Sequence, residues 1–140
     1  MSLMKMTESK ILNSLRNTID SKLEREPMNY ASNTTFDYLS DNNTFVYYTH
    51  RKCKMEAFDT TMIHSAKVKF GNIVIKDSKN SVYLVFRFID KLAYFQLLPN
   101  YDYNTNPYGK TDRYFMEFGD YYYIPISDLV VFEEFENNIK

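Results

Sequence analysis

A chain of 140 residues suits one modest core, so a single domain spanning 1–140 is expected. With 44% hydrophobic and 25% charged residues the composition is that of a soluble globular protein, and a net charge of -1 makes no overall demand for a nucleic-acid or membrane partner. The single cysteine, Cys53, excludes an internal disulfide and a cysteine-based zinc cluster.

Thr7 to Leu23 reads as a helix, because Ile11, Leu12, Leu15, Ile19 and Leu23 recur at three- and four-residue spacing. Thr7 is placed to cap its start and Pro27 to mark its end. Asn29 to Thr35 is polar and loop-like. Phe36 to Leu39 and Thr44 to Lys52 read as strands joined through Asp41-Asn42-Asn43, residue types that tolerate left-handed backbone. Period-two alternation puts Val46, Tyr48, His50 and Lys52 on one face. A two-residue turn at Asn42-Asn43 would set Leu39 opposite Val46 and Asp37 opposite Tyr48, on the face of His50 and Lys52. A slip of one residue would turn Asp37 to the other face.

Phe58 to about Phe70 reads as helix or loop: Met62, Ala66 and Phe70 fit helical spacing, with Asp59 or Thr60 as cap and Gly71 as stop. Asn72 to Ile75 is a short strand or a link. Val82 to Phe88, VYLVFRF, is the strongest strand signal, apolar enough to be buried on both faces of a sheet. Asp90-Lys91 turns the chain, and Leu92 to Leu98 returns beside it. Pro99 to Asp112 is a long polar loop. Arg113 to Phe118 and Tyr121 to Ile126 are further strands, and Ser127 caps a last helix carrying Leu129, Val130, Phe132 and Phe135. The expected fold is α+β, layered, with a central mixed sheet flanked by helices.

No run approaches the ~20 apolar residues of a membrane span. The start, MSLMKMTESK, lacks the apolar core of a signal peptide, so an intracellular, cytoplasmic protein is expected. Abundant Asn, Lys, Tyr and Ile hint at an AT-rich genome, viral or phage.

The chemistry concentrates in TTFDYLSDNNTFVYYTHRKCK, Thr34 to Lys54. Phosphodiester hydrolysis calls for clustered carboxylates that hold Mg²⁺, and for an amine that orients water or takes phosphate charge. Asp37 and Lys52 stand on one possible face, and Glu8, in register with Ile11, Leu12 and Leu15, can point towards them. Arg51, Lys52, Lys54, Lys67, Lys69 and Lys76 make a basic middle, while acids gather between Glu117 and Glu136. A basic face of this kind suits a phosphate backbone. Tyr101, Tyr103 and Tyr108, with the tyrosines at 121 to 123, are candidates for stacking bases or packing a strand. His64 reads as a structural or surface residue, and Cys53 as a small half-buried one.

In this order of elements the chain resembles the PD-(D/E)xK nuclease superfamily, including Holliday-junction resolvases and phage or restriction nucleases. The resemblance rests on Glu8 in the first helix, Asp37, the strand ending His50-Arg51-Lys52, the TTMI segment with Lys67, VYLVFRF, DKLAYFQL, and the ending YYYIPISDLVVF. It implies a metal-dependent DNA endonuclease using Mg²⁺ or Mn²⁺, acting on branched or duplex DNA as a homodimer. Asp37, Glu8 and the position of His50 would hold metal. Lys52, Asp37 and His50 would be catalytic, and Arg51, Lys54, Lys67 and Lys69 would contact nucleic acid.

The departure is His50, which stands where the second acid belongs. Imidazole suits Mn²⁺ or Zn²⁺ better than Mg²⁺. It can also serve as a general base, or mark a site that only binds. The competing functions are therefore a non-catalytic nuclease-fold module that binds DNA or protein, and a viral or phage accessory protein that inhibits a host factor through exposed aromatics.

Overall fold

The structure is a computed structural model that describes residues 8–26, 36–99 and 121–135. Its first helix, α1 (Glu8–Thr18), buries Ile11 and Leu15 on the expected stripe. The helix stops short of Leu23 because Asp20 turns the chain: its carboxylate accepts the Lys22 N–H at 2.9 Å, a side-chain bond that competes with helical pairing. Leu23 still reaches the same core after that turn. A two-residue strand, β1 (Glu24–Arg25), follows.

β2 (Tyr38–Ser40) and β3 (Thr44–His50) form the expected hairpin. The turn is three residues long instead of two. Asn43 adopts φ 63 and its N–H reaches the Ser40 carbonyl at 3.2 Å, a tight turn closed by a left-handed residue. Tyr38 therefore faces Val46, and Leu39 faces Phe45.

The segment from Phe58, read as helix or loop, is first a strand, β4 (Thr60–His64), and only then a helix, α2 (Ser65–Val74). Two adjacent threonines and an isoleucine favour extended backbone, and β4 finds a partner in β7 (Tyr121–Pro125). The His64 Nδ1 accepts the Ala66 N–H at 3.1 Å, so His64 caps α2. Gly71 is not a helix stop but a close-packing point inside α2. A Cβ there would lie 2.5 Å from Leu97 Cδ1 and 3.3 Å from Val82 Cγ1. Gly71→Ala should be near neutral, because the better helix propensity offsets a Leu97 rotamer shift. Gly71→Val should cost about 1–3 kcal/mol by overpacking, read as a lowered urea midpoint.

β5 (Ser81–Arg87) is the central strand, parallel to β3 and antiparallel to β6 (Lys91–Gln96). Val82, Leu84, Val85 and Phe86 are all fully buried, as a strand covered on both faces requires. The chain end expected as a helix is a short turn over Ile126–Asp128 and then β8 (Val130–Glu134), which pairs with β6. Its β-branched valines and an available sheet edge outweigh the helical spacing of Leu129 and Phe132. The six-stranded sheet runs β1-β2-β3-β5-β6-β8, beside the two-stranded β4-β7 pair.

α1 covers one face of the large sheet over Val46, Val85 and Leu92. α2 and the β4-β7 pair cover the other, with Val68 of α2 and Ile124 of β7 buried in one cluster with Tyr47, Leu84 and Phe86. Among the described residues no helix is long and apolar enough to cross a membrane. Arg113 to Phe118, Asn29 to Thr35, and the loop expected beyond Pro99 lie outside the described residues.

Candidate functional site

Asp37 sits at a break in the β2 edge. Phe36 stacks on Tyr47, centroids 4.4 Å apart, on the α2 face, whereas Tyr38 packs into the α1 face. Strict alternation would put Phe36 and Tyr38 together, so the backbone is offset at Asp37. Its N–H reaches the Val46 carbonyl at 2.8 Å, and its carbonyl accepts the Glu26 N–H at 2.9 Å. Its carboxylate Oδ2 accepts the Tyr48 N–H at 2.7 Å. A side-chain oxygen thus stands in for a ladder carbonyl, roughly in the plane of the sheet. The expected placement of Asp37 opposite Tyr48 does not form, because the register is shifted by one residue; Asp37 reaches Tyr48 only through its carboxylate.

The α1 face of β3 ends in a basic group. Tyr48 and His50 point to that side, and His50 lies opposite Arg87 in the parallel β3-β5 register. The Arg87 guanidinium bonds the Tyr48 hydroxyl and lies 5.3 Å from the Phe135 ring centroid. Partial desolvation, then the charges of Arg87 and Lys52, push the exposed His50 below the ordinary histidine value. Lys52 is exposed at the strand end. Arg87 was not anticipated. Its signal is the single charge ending a run of apolar strand residues, but its meeting with His50 depends on a crossover pairing that no local pattern reveals.

Glu8 is taken up by Arg25, which also feels the Asp37 charge. Its carboxylate pairs with the Arg25 guanidinium at 3.1 Å, which in turn lies over the Tyr38 ring at 5.4 Å. The structure therefore does not gather Asp37, Glu8 and His50 into one set. Among the described residues no group of three or more His, Cys, Asp or Glu side chains is placed to hold a metal ion. One carboxylate, with an imidazole crowded by two cations, is a poor match to the oxygen-rich set that Mg²⁺ prefers. These residues do not fit the divalent ion that nucleases of the superfamily generally use.

The remaining basic residues divide. Arg51 turns to the α2 face, where its Nε donates to Thr61 Oγ1 at 3.2 Å and its terminal nitrogen to the Met62 carbonyl, tying β3 to β4. Lys67, on α2, is half-buried with its Nζ 5.3 Å above the Tyr47 ring. Burial lowers its ammonium below the ordinary range, and the Asp37 charge opposes that shift. Lys54 and Lys69 are exposed.

Residues 4–136 match the profile of a family described as "Phage putative PDDEXK endonuclease". No curated protein matches. Among solved structures, a Holliday junction resolvase, Hjc, from the archaeal hyperthermophile Archaeoglobus fulgidus is similar, with 10% identity, TM-score 0.48, and coverage of 84% of this chain and 86% of that one. The family match spans nearly the whole chain, and the chain belongs to the phage PDDEXK endonuclease family.

Proposed function

We propose that the chain, as one unit over 1–140, acts on DNA by receiving a phosphodiester at the end of β3. His50, Lys52 and Arg87 take the phosphate charge, and Asp37 supplies the neighbouring carboxylate. The observation that carries this reading is the set of basic groups where the superfamily pattern places an acid: His50 opposite Arg87, next to exposed Lys52. Such a set favours backbone contact, which carries affinity without reading sequence. Short labelled duplex and four-way-junction DNA should bind with an affinity that falls steeply as salt rises. Binding that ignores salt, or none at all, overturns the proposal.

Hydrolysis is the second reading, favoured by family membership and by the anchored Asp37 carboxylate. Its test is nicking of the same substrates in Mg²⁺ or Mn²⁺, abolished in Asp37→Ala and Lys52→Ala. Undiminished cleavage by both variants would remove these residues from the reaction. A homodimer is part of this reading, and sedimentation of the full chain with and without junction DNA examines it.

Binding should also tighten as pH falls. His50 is held below its ordinary value of about 6.5 by desolvation, Arg87 and Lys52, so it is largely neutral near pH 7. Phosphate favours the protonated imidazole, so DNA adds a proton and a contact as pH drops from about 7 towards 5. His50→Gln should flatten that trend in a fluorescence-anisotropy titration.

A further inference from the structure

We propose that Asp37 works with Lys67 on α2, and not with Lys52 beyond the end of β3, so that Lys67 is the positioning residue for a phosphodiester seated beside Asp37. The inference rests on the DNA-directed reading above and assigns the amine of that site. It begins with the packing of α2. Lys67 and Phe70 stand three residues apart, hence on one face of the helix. Phe70 meets the Phe36 ring at 5.7 Å, and Lys67 lies over Tyr47 at 5.3 Å. Phe36 and Tyr47 are themselves stacked and flank Asp37 on that side. The helix therefore delivers its ammonium to the side of the Asp37 break.

Lys52 lies two residues past His50, the last residue of β3, and its charge falls on His50. The Asp37 charge instead bears on Tyr47 and Lys67 on the α2 side, and on Tyr38 and Arg25 on the other, where Arg25 is already paired with Glu8 at 3.1 Å. Arg51 is nearby, yet its guanidinium is committed to Thr61 and the Met62 carbonyl. Lys67 is left as the ammonium that balances Asp37 across an aromatic surface, where a cation is partly desolvated and its interactions are stronger. A phosphate at the end of β3 would then meet cations from both faces of the strand, with Lys67 reaching it from the α2 side.

Two double-mutant cycles test the pairing, Asp37→Asn with Lys67→Met and Asp37→Asn with Lys52→Met. Each is read in duplex-DNA affinity by anisotropy and in melting temperature without DNA. Lys67→Met should weaken binding by about 3–10-fold, and Lys67→Arg should return most of it. The Asp37/Lys67 cycle should depart from additivity by a factor of about 3 or more in affinity, and by ~2 °C or more in melting. The Asp37/Lys52 cycle should be additive in both. Additive behaviour of Asp37 with Lys67, or coupling of Asp37 with Lys52, overturns the assignment. A wild-type chain that binds no duplex sinks the DNA-directed reading, while the melting cycles still decide the pairing.

Discussion

Replacing Asp20 by alanine should lower the stability of the fold by about 2–4 kcal/mol. Asp20 is buried between the end of α1 and the tip of the β2-β3 hairpin. Its carboxylate accepts the Lys22 N–H at 2.9 Å, the Ser40 and Thr44 hydroxyls at 2.7 Å each, and the Asn42 amide at 3.0 Å. One side chain thus ties α1 to the hairpin that presents Asp37 and His50. Thr44 is buried and loses its acceptor without access to water, whereas exposed Asn42 can be hydrated. The charge state gives a second signature. Burial alone would raise the Asp20 pKa, but the Lys22, Thr44, Ser40 and Asn42 bonds outweigh it and hold it at about 2. A depressed folded-state value stabilises the protein above the unfolded carboxylate value of about 4. The contribution is lost as pH falls from there towards about 2. Urea unfolding of wild type and Asp20→Asn between pH 2 and 7 should therefore converge at the acid end. Parallel curves would show that the carboxylate charge does nothing for the fold.

Asp20 also shows where local pattern stops short. The α1 stripe and VYLVFRF are legible because burial on one face or two writes itself into residue spacing, and both elements form close to where that spacing puts them. Asp20 falls within the apolar periodicity of the helix, and only the distant hairpin tip gives its carboxylate a purpose. β4 misled for a related reason. Met62, Ala66 and Phe70 keep helical spacing across a strand-to-helix junction, and the strand exists because Tyr121–Pro125 pairs with it. β8 likewise needs β6 as its neighbour. At the candidate site, His50, Lys52, Asp37 and Lys67 are legible as candidates from motif and resemblance. Their distribution over the faces of β3 is not, because it turns on one extra residue in the hairpin turn and on the backbone offset at Asp37.

That distribution sets the expected outcome of restoring the missing acid. His50→Glu should abolish most DNA affinity and create no nuclease. A carboxylate at position 50 would stand on the α1 face between Arg87 and Lys52, whose charges already bear on that position. It would remove the imidazole contact, offset one of the two neighbouring cations and repel the backbone itself. Losing about two phosphate contacts shortens the salt slope by roughly two and weakens binding by ~10–100-fold at low salt. Lys52→Ala, an exposed single-charge change, should shorten the slope by about one and leave melting untouched. The new glutamate would not complete a metal set with Asp37, whose Oδ2 is engaged by the Tyr48 N–H and whose charge is shared between Arg25 on one side and Lys67 on the other. Gain of Mg²⁺- or Mn²⁺-dependent cleavage in His50→Glu would mean that Asp37 swings to the α1 face when an acid awaits it there. The basic cluster would then be a displaced metal site. Retained affinity with an unchanged salt slope would remove His50 from the DNA contact altogether.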